Sequence, residues 1–176
     1  MKVIRKDTVL DQDLLDGIIK EREVLISIDH PFIVHMRYGF QTPERLFFVM
    51  DLVKGGELWT YAREQTRIPE AEVKLYIANI ALGIGALHDK NIIHRDIKLP
   101  NILIDEDGYL VLSDFGVALQ LTKDDEDDSK KGDLTGTLDY MAIEMLKGDK
   151  CGKPIDWWAL GVITYELILG QMPFSH

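Results

Sequence analysis

Apolar residues at Leu14, Ile18, Val24, Leu25 and Ile28 recur at close to helical spacing, which predicts a helix over residues 14–28 that carries Glu21. It stops at His30-Pro31, because the residue before a proline disfavours the helical region. Ahead of it, the alternation in MKVIRK reads as the end of a β-strand. Beyond it, residues 33–40 and 46–52 read as two strands joined by the turn Gln41-Thr42-Pro43-Glu44, an antiparallel hairpin. Lys54-Gly55-Gly56 then breaks the pattern and predicts a hinge.

Helical periods follow: a short helix over residues 57–65 and a long one over residues 69–89. In the long one Val73, Ile77, Ile80, Ala81, Ile84 and Leu87 share a face, and Pro69 suits its first turn. Two short apolar runs then flank a turn at residues 105–108. Paired as a hairpin, they gather Asp96, Asn101 and Asp114 at its mouth. The run KDDEDDSKK over residues 123–131 has no apolar side chain and predicts a mobile loop. Residues 156–167 read as a helix that is apolar nearly all round, hence buried among other helices. There is no internal repeat.

Composition narrows the class. A chain of 176 residues with 46% hydrophobic residues can bury a real core. The formal charge of −10 argues against nucleic-acid binding and favours a partner that carries positive charge. One cysteine, Cys151, allows no internal disulfide, and no His/Cys spacing suits zinc. The longest apolar stretch, residues 157–169, is too short for a membrane span and contains Glu166. No signal-peptide pattern is present, so a soluble protein of a reducing compartment is expected, cytoplasmic with access to the nucleus open.

The chemistry concentrates in HRDIKLPNILIDEDGYLVLSDFG over residues 94–116. A lone Asp or Asn beside a turn is most simply a capping residue. Several motifs in fixed order reverse that preference: His94-Arg95-Asp96 with Asn101, then Asp114-Phe115-Gly116, Ala142-Ile143-Glu144, and Asp156-Trp157-Trp158. On these the chain resembles a eukaryotic protein kinase, and His30-Pro31-Phe32-Ile33-Val34, Gly55-Gly56-Glu57-Leu58 and Gly136-Thr137 are similar to the AGC group of serine/threonine kinases.

The resemblance implies an α+β, two-lobed kinase-like fold, with residues 1–53 in the first lobe and residues 54–176 in the second. It implies ATP and Mg2+ as cofactors and Ser/Thr hydroxyls as acceptors. Asp96 would accept the hydroxyl proton, Lys98 would neutralise the γ-phosphate, and Thr137, counted with the catalytic residues, would accompany Lys98 in indicating Ser/Thr specificity. Asn101 and Asp114 would supply the hard oxygen ligands that Mg2+ prefers. Lys2 would hold the α/β-phosphates and Glu21 would hold Lys2; the bland alternative is a solvated lysine and glutamate. Met50 would stand beside the adenine, the backbone of Asp51 and Val53 would bind its edge, and Leu103 would pack beneath it. Glu57 would meet the ribose or a basic substrate residue. Strand core for Met50 and Leu103, and a helix N-terminal charge for Glu57, are their ordinary roles. Leu25, Met36, His94 and Phe115, anchored near Asp156, look like the stacked side chains of an active kinase. Glu57 and Glu166 would favour arginine upstream of the target residue.

Departures from the family pattern carry expectations too. No glycine-rich loop precedes Lys2, the helices that usually follow Phe174 are missing, and Glu144 lacks its usual arginine. The chain is therefore expected to be truncated at both ends, weak in ATP binding and of low stability alone. Leu99-Pro100 replaces the usual Pro-Glu, removing one carboxylate that reads a substrate arginine, and Ile143 replaces the proline of Ala-Pro-Glu. Asp133 stands where relatives carry a phosphorylatable threonine that pairs with Arg95. It either replaces that phosphate in part or is a solvated end of the acidic loop. Thr135 and Ser129 are candidate phosphorylation sites. A non-catalytic kinase-like binding module is the alternative function, whereas a small-molecule phosphotransferase is disfavoured by the TGT and DWW segments.

Overall fold

The structure is a computed structural model that describes residues 1–9, 12–65, 67–122, 129–131 and 135–174. MKVIRK forms β1 (Lys2–Arg5), one edge of a three-stranded antiparallel sheet ordered β1-β3-β2 with β2 (Met36–Gln41) and β3 (Arg45–Met50). Its register sets Lys2 opposite Phe48 and Met36 opposite Met50. Helix α1 (Gln12–Ser27) lies against β2. Its buried stripe of Ile18, Val24 and Leu25 includes Glu21, only 3% exposed. A carboxylate on an apolar stripe requires a partner.

The strand expected from residue 33 begins only at Met36. The reason is a competing attachment: Val34 N–H donates to Leu112 O at 2.9 Å and Leu112 N–H to Phe32 O at 2.9 Å, tying residues 32–34 to the later hairpin. The expected hinge at Gly55 and Gly56 is likewise anchored. Gly55 N–H donates to Ile104 O at 2.8 Å, Ile104 N–H donates to Gly56 O at 2.9 Å, and a Cβ on Gly55 would stand 2.5 Å from Ile104 O. Only glycine lets the two backbones approach that closely.

Helices α2 (Leu58–Glu64) and α3 (Glu70–Asp89) follow as predicted. Strands β5 (Ile102–Ile104) and β6 (Leu110–Leu112) form the expected hairpin. Its turn is closed by Asp105 Oδ1, which accepts the N–H groups of Asp107 and Tyr109. Buried Asn79 of α3 accepts Leu110 N–H at 3.1 Å and fixes the hairpin to that helix.

Two strand pairs have no counterpart in the sequence pattern. Strand β4 (Ile92–Ile93) pairs with β7 (Leu119–Gln120), and β8 (Ser129–Lys131) pairs with β9 (Lys150–Gly152). The second pair corrects the mobile loop expected over residues 123–131 at its last three positions. A ladder of backbone bonds needs no apolar side chain, so a Ser-Lys-Lys triplet can join one. Residues 123–128 and Asp133 lie outside the described residues.

After β7, α4 (Ile143–Lys147) precedes α5 (Pro154–Leu169). Helix α5 packs on α3, with Ala159, Ile163 and Leu167 in the shared core and Ile155 in a smaller cluster with Met141 and Met145, but it is not buried all round. Trp157, Trp158, Tyr165, Ile168 and Leu169 are 38–45% exposed, because described elements cover one face only. One apolar core runs from Ile18 and Phe48 through Ile84 and Leu112 to Ile163, so both parts of the fold share it.

Candidate active site

Asp156, 1% exposed in the first turn of α5, organises the loop that follows β4. Its Oδ2 accepts His94 N–H at 2.9 Å and lies 2.8 Å from His88 Nε2, while Oδ1 accepts Arg95 N–H at 3.0 Å. These bonds hold Arg95 at φ +68°, a left-handed conformation that costs a non-glycine residue roughly 1–2 kcal/mol. The Arg95 carbonyl is in turn covered by Gly136, where a Cβ would come within 2.6 Å of the oxygen.

That loop presents Asp96 to three partners. Asn101 Nδ2 donates to Asp96 O and Oδ2, each at 2.9 Å. Lys98 Nζ lies 2.8 Å from Asp96 Oδ2 and 2.7 Å from Thr137 Oγ1, and the Thr137 hydroxyl donates to Asp96 Oδ1 at 3.0 Å. Asp96, Lys98, Asn101 and Thr137 thus form one network from two separate segments.

A second network reaches Asp114, just past the end of β6. Lys2 Nζ contacts both oxygens of Glu21, at 2.6 and 2.7 Å, and lies 3.8 Å from Asp114 Oδ1. Asp114 is at φ +59° with a half-exposed side chain, whereas Phe115 is fully buried. The rings of Phe115 and His94 stand 4.9 Å apart, and Leu25 and Met36 are buried as well. His94 Nε2 donates to Ser113 O at 3.2 Å, and Ser113 Oγ donates to Asn101 O at 2.9 Å.

The chemistry suits a divalent cation bound together with phosphates. Both Asn101 amide hydrogens are committed to Asp96, and its Oδ1 accepts no hydrogen bond among the described residues. Asn101 Oδ1 and the Asp114 carboxylate are therefore available as hard oxygen donors. Among the described residues, no group of three or more His, Cys, Asp or Glu could hold a metal by itself. Two protein ligands completed by phosphate oxygens and water is the manner in which Mg2+ is commonly held.

The residues expected around adenine come from β3, the segment after it, and β5. Met50 and Leu103 are half-buried. Asp51 N–H donates to His35 O at 3.0 Å, which leaves its carbonyl as the group open to a ligand's donor. Val53 N–H makes no hydrogen bond among the described residues. The Arg37 guanidinium holds the Asp51 carboxyl below the usual range, through bonds of 2.6 and 2.8 Å. Glu57 is exposed at the start of α2, and its backbone bridges to Leu103. Of the expected regulatory residues, Arg95 Nε donates to Val117 O at 2.6 Å and Thr135 is half-buried.

The sequence marked Tyr140 only as part of the Tyr140-Met141-Ala142 motif and did not mark His88. Tyr140 Oη donates to Glu166 Oε2 at 2.7 Å, and burial pushes both groups up from their ordinary pKa values. The available signal was Glu166 itself, a carboxylate inside an apolar helix that needed a donor. Two larger hollows lie away from these networks. One of about 510 Å³ runs along residues 51–54, and one of about 620 Å³ is walled by Leu138, Ile143, Leu146, Trp158 and Phe174. Among the described residues, no helix is long and apolar enough to cross a membrane.

The protein kinase domain family matches residues 1–176. Serine/threonine-protein kinase AtPK1/AtPK6 of Arabidopsis thaliana is 40% identical over 99% of this chain and 37% of its own length. Atypical protein kinase C of Drosophila melanogaster is 41% identical over 99% of this chain and 28% of its own length. Serine/threonine-protein kinase Sgk2 of Mus musculus is 41% identical over 100% of this chain and 47% of its own length. The chain thus spans less than half the length of these relatives.

Proposed function

The chain belongs to the protein kinase domain family, and from that premise we propose that the protein transfers the γ-phosphoryl group of ATP to serine or threonine hydroxyls of protein substrates. The observation that carries this reading is the network of Asp96, Lys98, Asn101 and Thr137, with every link between 2.7 and 3.0 Å. Phosphoryl transfer asks a protein mainly for alignment and charge neutralisation, and this network offers both.

Bound between residues 1–53 and 54–176, Mg-ATP would supply the transferable group. Lys2, held by Glu21, grips the α/β-phosphates. Asn101 and Asp114 would hold the Mg2+. Met50, Leu103 and the backbone of Asp51 and Val53 receive the adenine, and Glu57 meets the ribose or a basic substrate residue. Asp96 orients the acceptor hydroxyl and takes its proton. Lys98, shared between Asp96 and Thr137, would neutralise charge on the γ-phosphate. Arg95 answers charge on the segment that contains Asp133 and Thr135. Glu57 and Glu166 favour substrates with basic residues near the target, which suits the net charge of −10, and nucleic acid is not a partner. The protein acts in the cytoplasm, with access to the nucleus.

Transfer of labelled phosphate from Mg-ATP to serine, threonine and tyrosine peptides tests the reading, with Asp96→Ala as the control. Label on the serine and threonine peptides that falls at least 100-fold in Asp96→Ala is expected, on the order of a lost general base. Mg-ATP binding without transfer would make the protein a binding module instead.

A further inference from the structure

Thr42 lies at the tip of the hairpin formed by β2 and β3 and is followed by Pro43. Thr42 N–H donates to Arg45 O at 2.8 Å, and Arg45 N–H donates to Thr42 Oγ1 at 3.1 Å, which closes the turn. Thr42, Pro43 and Glu44 are all exposed. Strand β2 stops at Gln41, so the tip can open while the strands stay paired.

The sheet register sets cations beside this hydroxyl. Val3, Phe47 and Phe40 stand abreast on the three strands, and side chains two residues further along share their face. Those are Arg5 on β1, Arg45 on β3 and Thr42 just past β2. Arg5 and Arg45 are direct cross-strand partners, and like charges so placed repel. Asp7 relieves Arg5, whose Nε donates to Asp7 Oδ1 at 3.0 Å, but it reaches Arg45 through charge alone. Among the described residues neither the Arg45 guanidinium nor the Glu44 carboxylate is in an ion pair. Lys6 adds a third cation at the turn: its N–H donates to Glu44 O at 2.8 Å and its Nζ to Gln41 Oε1 at 2.7 Å. In a chain of formal charge −10, three cations around one exposed hydroxyl are a local exception. An anion at Thr42 would stand next to Arg45 and offset the repulsion. A phosphate there brings about 1.5 to 2 negative charges and three acceptor oxygens, which guanidinium forks bind in pairs.

We propose that Thr42 is a phosphorylation site for a proline-directed protein kinase, and that the phosphothreonine closes on Arg45 and Arg5. Pro43 has no N–H and a fixed φ, which an acceptor site can read in the residue after the threonine. Thr42 Oγ1 bonds to the γ-phosphorus of Mg-ATP held by that kinase, and the bond from this phosphorus to the bridging oxygen breaks. ADP leaves, and the hydroxyl proton passes to that kinase's base. Arg5 ends the strand that begins with Lys2, so the phosphate ties β1 to the hairpin tip and steadies the strand that carries the Lys2–Glu21 contact. The site does not depend on the activity proposed above for the chain itself.

The test incubates the folded chain with Mg-ATP and a proline-directed serine/threonine kinase and maps phosphate by peptide mass spectrometry. Phosphate at Thr42 is expected, at least about tenfold less in Pro43→Ala and absent in Thr42→Ala. Phosphorus NMR of the modified chain should then place the second phosphate pKa about half a pH unit below that of a phosphopeptide spanning residues 38–47. The offset should vanish when Arg5→Gln and Arg45→Gln are combined, with circular dichroism showing that the variant is folded. No phosphate at Thr42 of the folded chain, incorporation indifferent to Pro43→Ala, or equal incorporation with Mg-ATP alone would overturn the assignment of the site. A second pKa equal to that of the peptide would overturn its closure on the arginines.

Discussion

Lys2 Nζ lies 2.6 Å from Glu21 Oε1 and 2.7 Å from Oε2, a two-oxygen contact that joins β1 to α1. The Glu21 side chain is 4% exposed and that of Lys2 39% exposed, so the carboxylate depends on the lysine more than the lysine on it. Removing the cation strands a buried charge. Lys2→Met should therefore destabilise the fold by about 1–3 kcal/mol in urea unfolding, discounted from the cost of a fully buried pair because Lys2 is partly solvated. Adding Glu21→Leu should recover part of that loss. Additive losses in the double-mutant cycle would show that the pair is not coupled.

Thr137 is bonded on both sides, accepting from Lys98 and donating to Asp96. Thr137→Val keeps the shape and removes both bonds, so Lys98 and Asp96 lose their shared orienting group. Peptide phosphorylation should fall about 10- to 100-fold, chiefly in kcat, while Thr137→Ser should stay within about threefold of wild type. Equal kcat in the valine variant would show that the hydroxyl is dispensable to the reaction.

Much of this was legible in the sequence, and the reasons differ by residue. The hairpin of β5 and β6 was signalled by two apolar runs around an Asp-Gly turn, whereas Glu21 was placed on its helix by periodicity but paired with Lys2 only through family resemblance. Thr137 joins Asp96 through a contact between residues 41 positions apart, which no local pattern encodes; only family resemblance pointed to it. The pairing of Ser129–Lys131 with Lys150–Gly152 was invisible for a different reason, since backbone ladders leave no mark on a run of charged side chains. Helix α5 misled in the opposite direction. Its uniform apolarity implied burial on every side, yet Trp157 and Trp158 stand partly exposed.

Asp156 accepts two backbone N–H groups and contacts His88, all within 3.0 Å. Asp156→Ala would leave the N–H groups of His94 and Arg95 without their acceptor and release the left-handed backbone of Arg95. The cost should be about 3–5 kcal/mol, within the range for a broken buried network. Thermal melting should therefore fall by about 6–20 °C. Asp156→Asn retains one acceptor oxygen and should fall between the two. A melting temperature unchanged in the alanine variant would remove Asp156 as the organiser of the loop.

Glu166 sets stability against recognition. Burial raises its pKa in the folded chain above the ordinary carboxylate value. Between those two values the folded state binds more protons than the unfolded state, so stability contributed by the protonated form is present in acid and is lost as pH rises through the folded pKa. At neutral pH the ionised carboxylate therefore opposes folding. Glu166→Gln removes that opposition and still offers Tyr140 Oη an amide oxygen to donate to. The variant should be more stable than wild type at pH 7, with the difference shrinking as pH falls toward the ordinary carboxylate range. Urea unfolding at several pH values checks this. A variant less stable at pH 7 would mean that the charge of Glu166 is compensated within the fold.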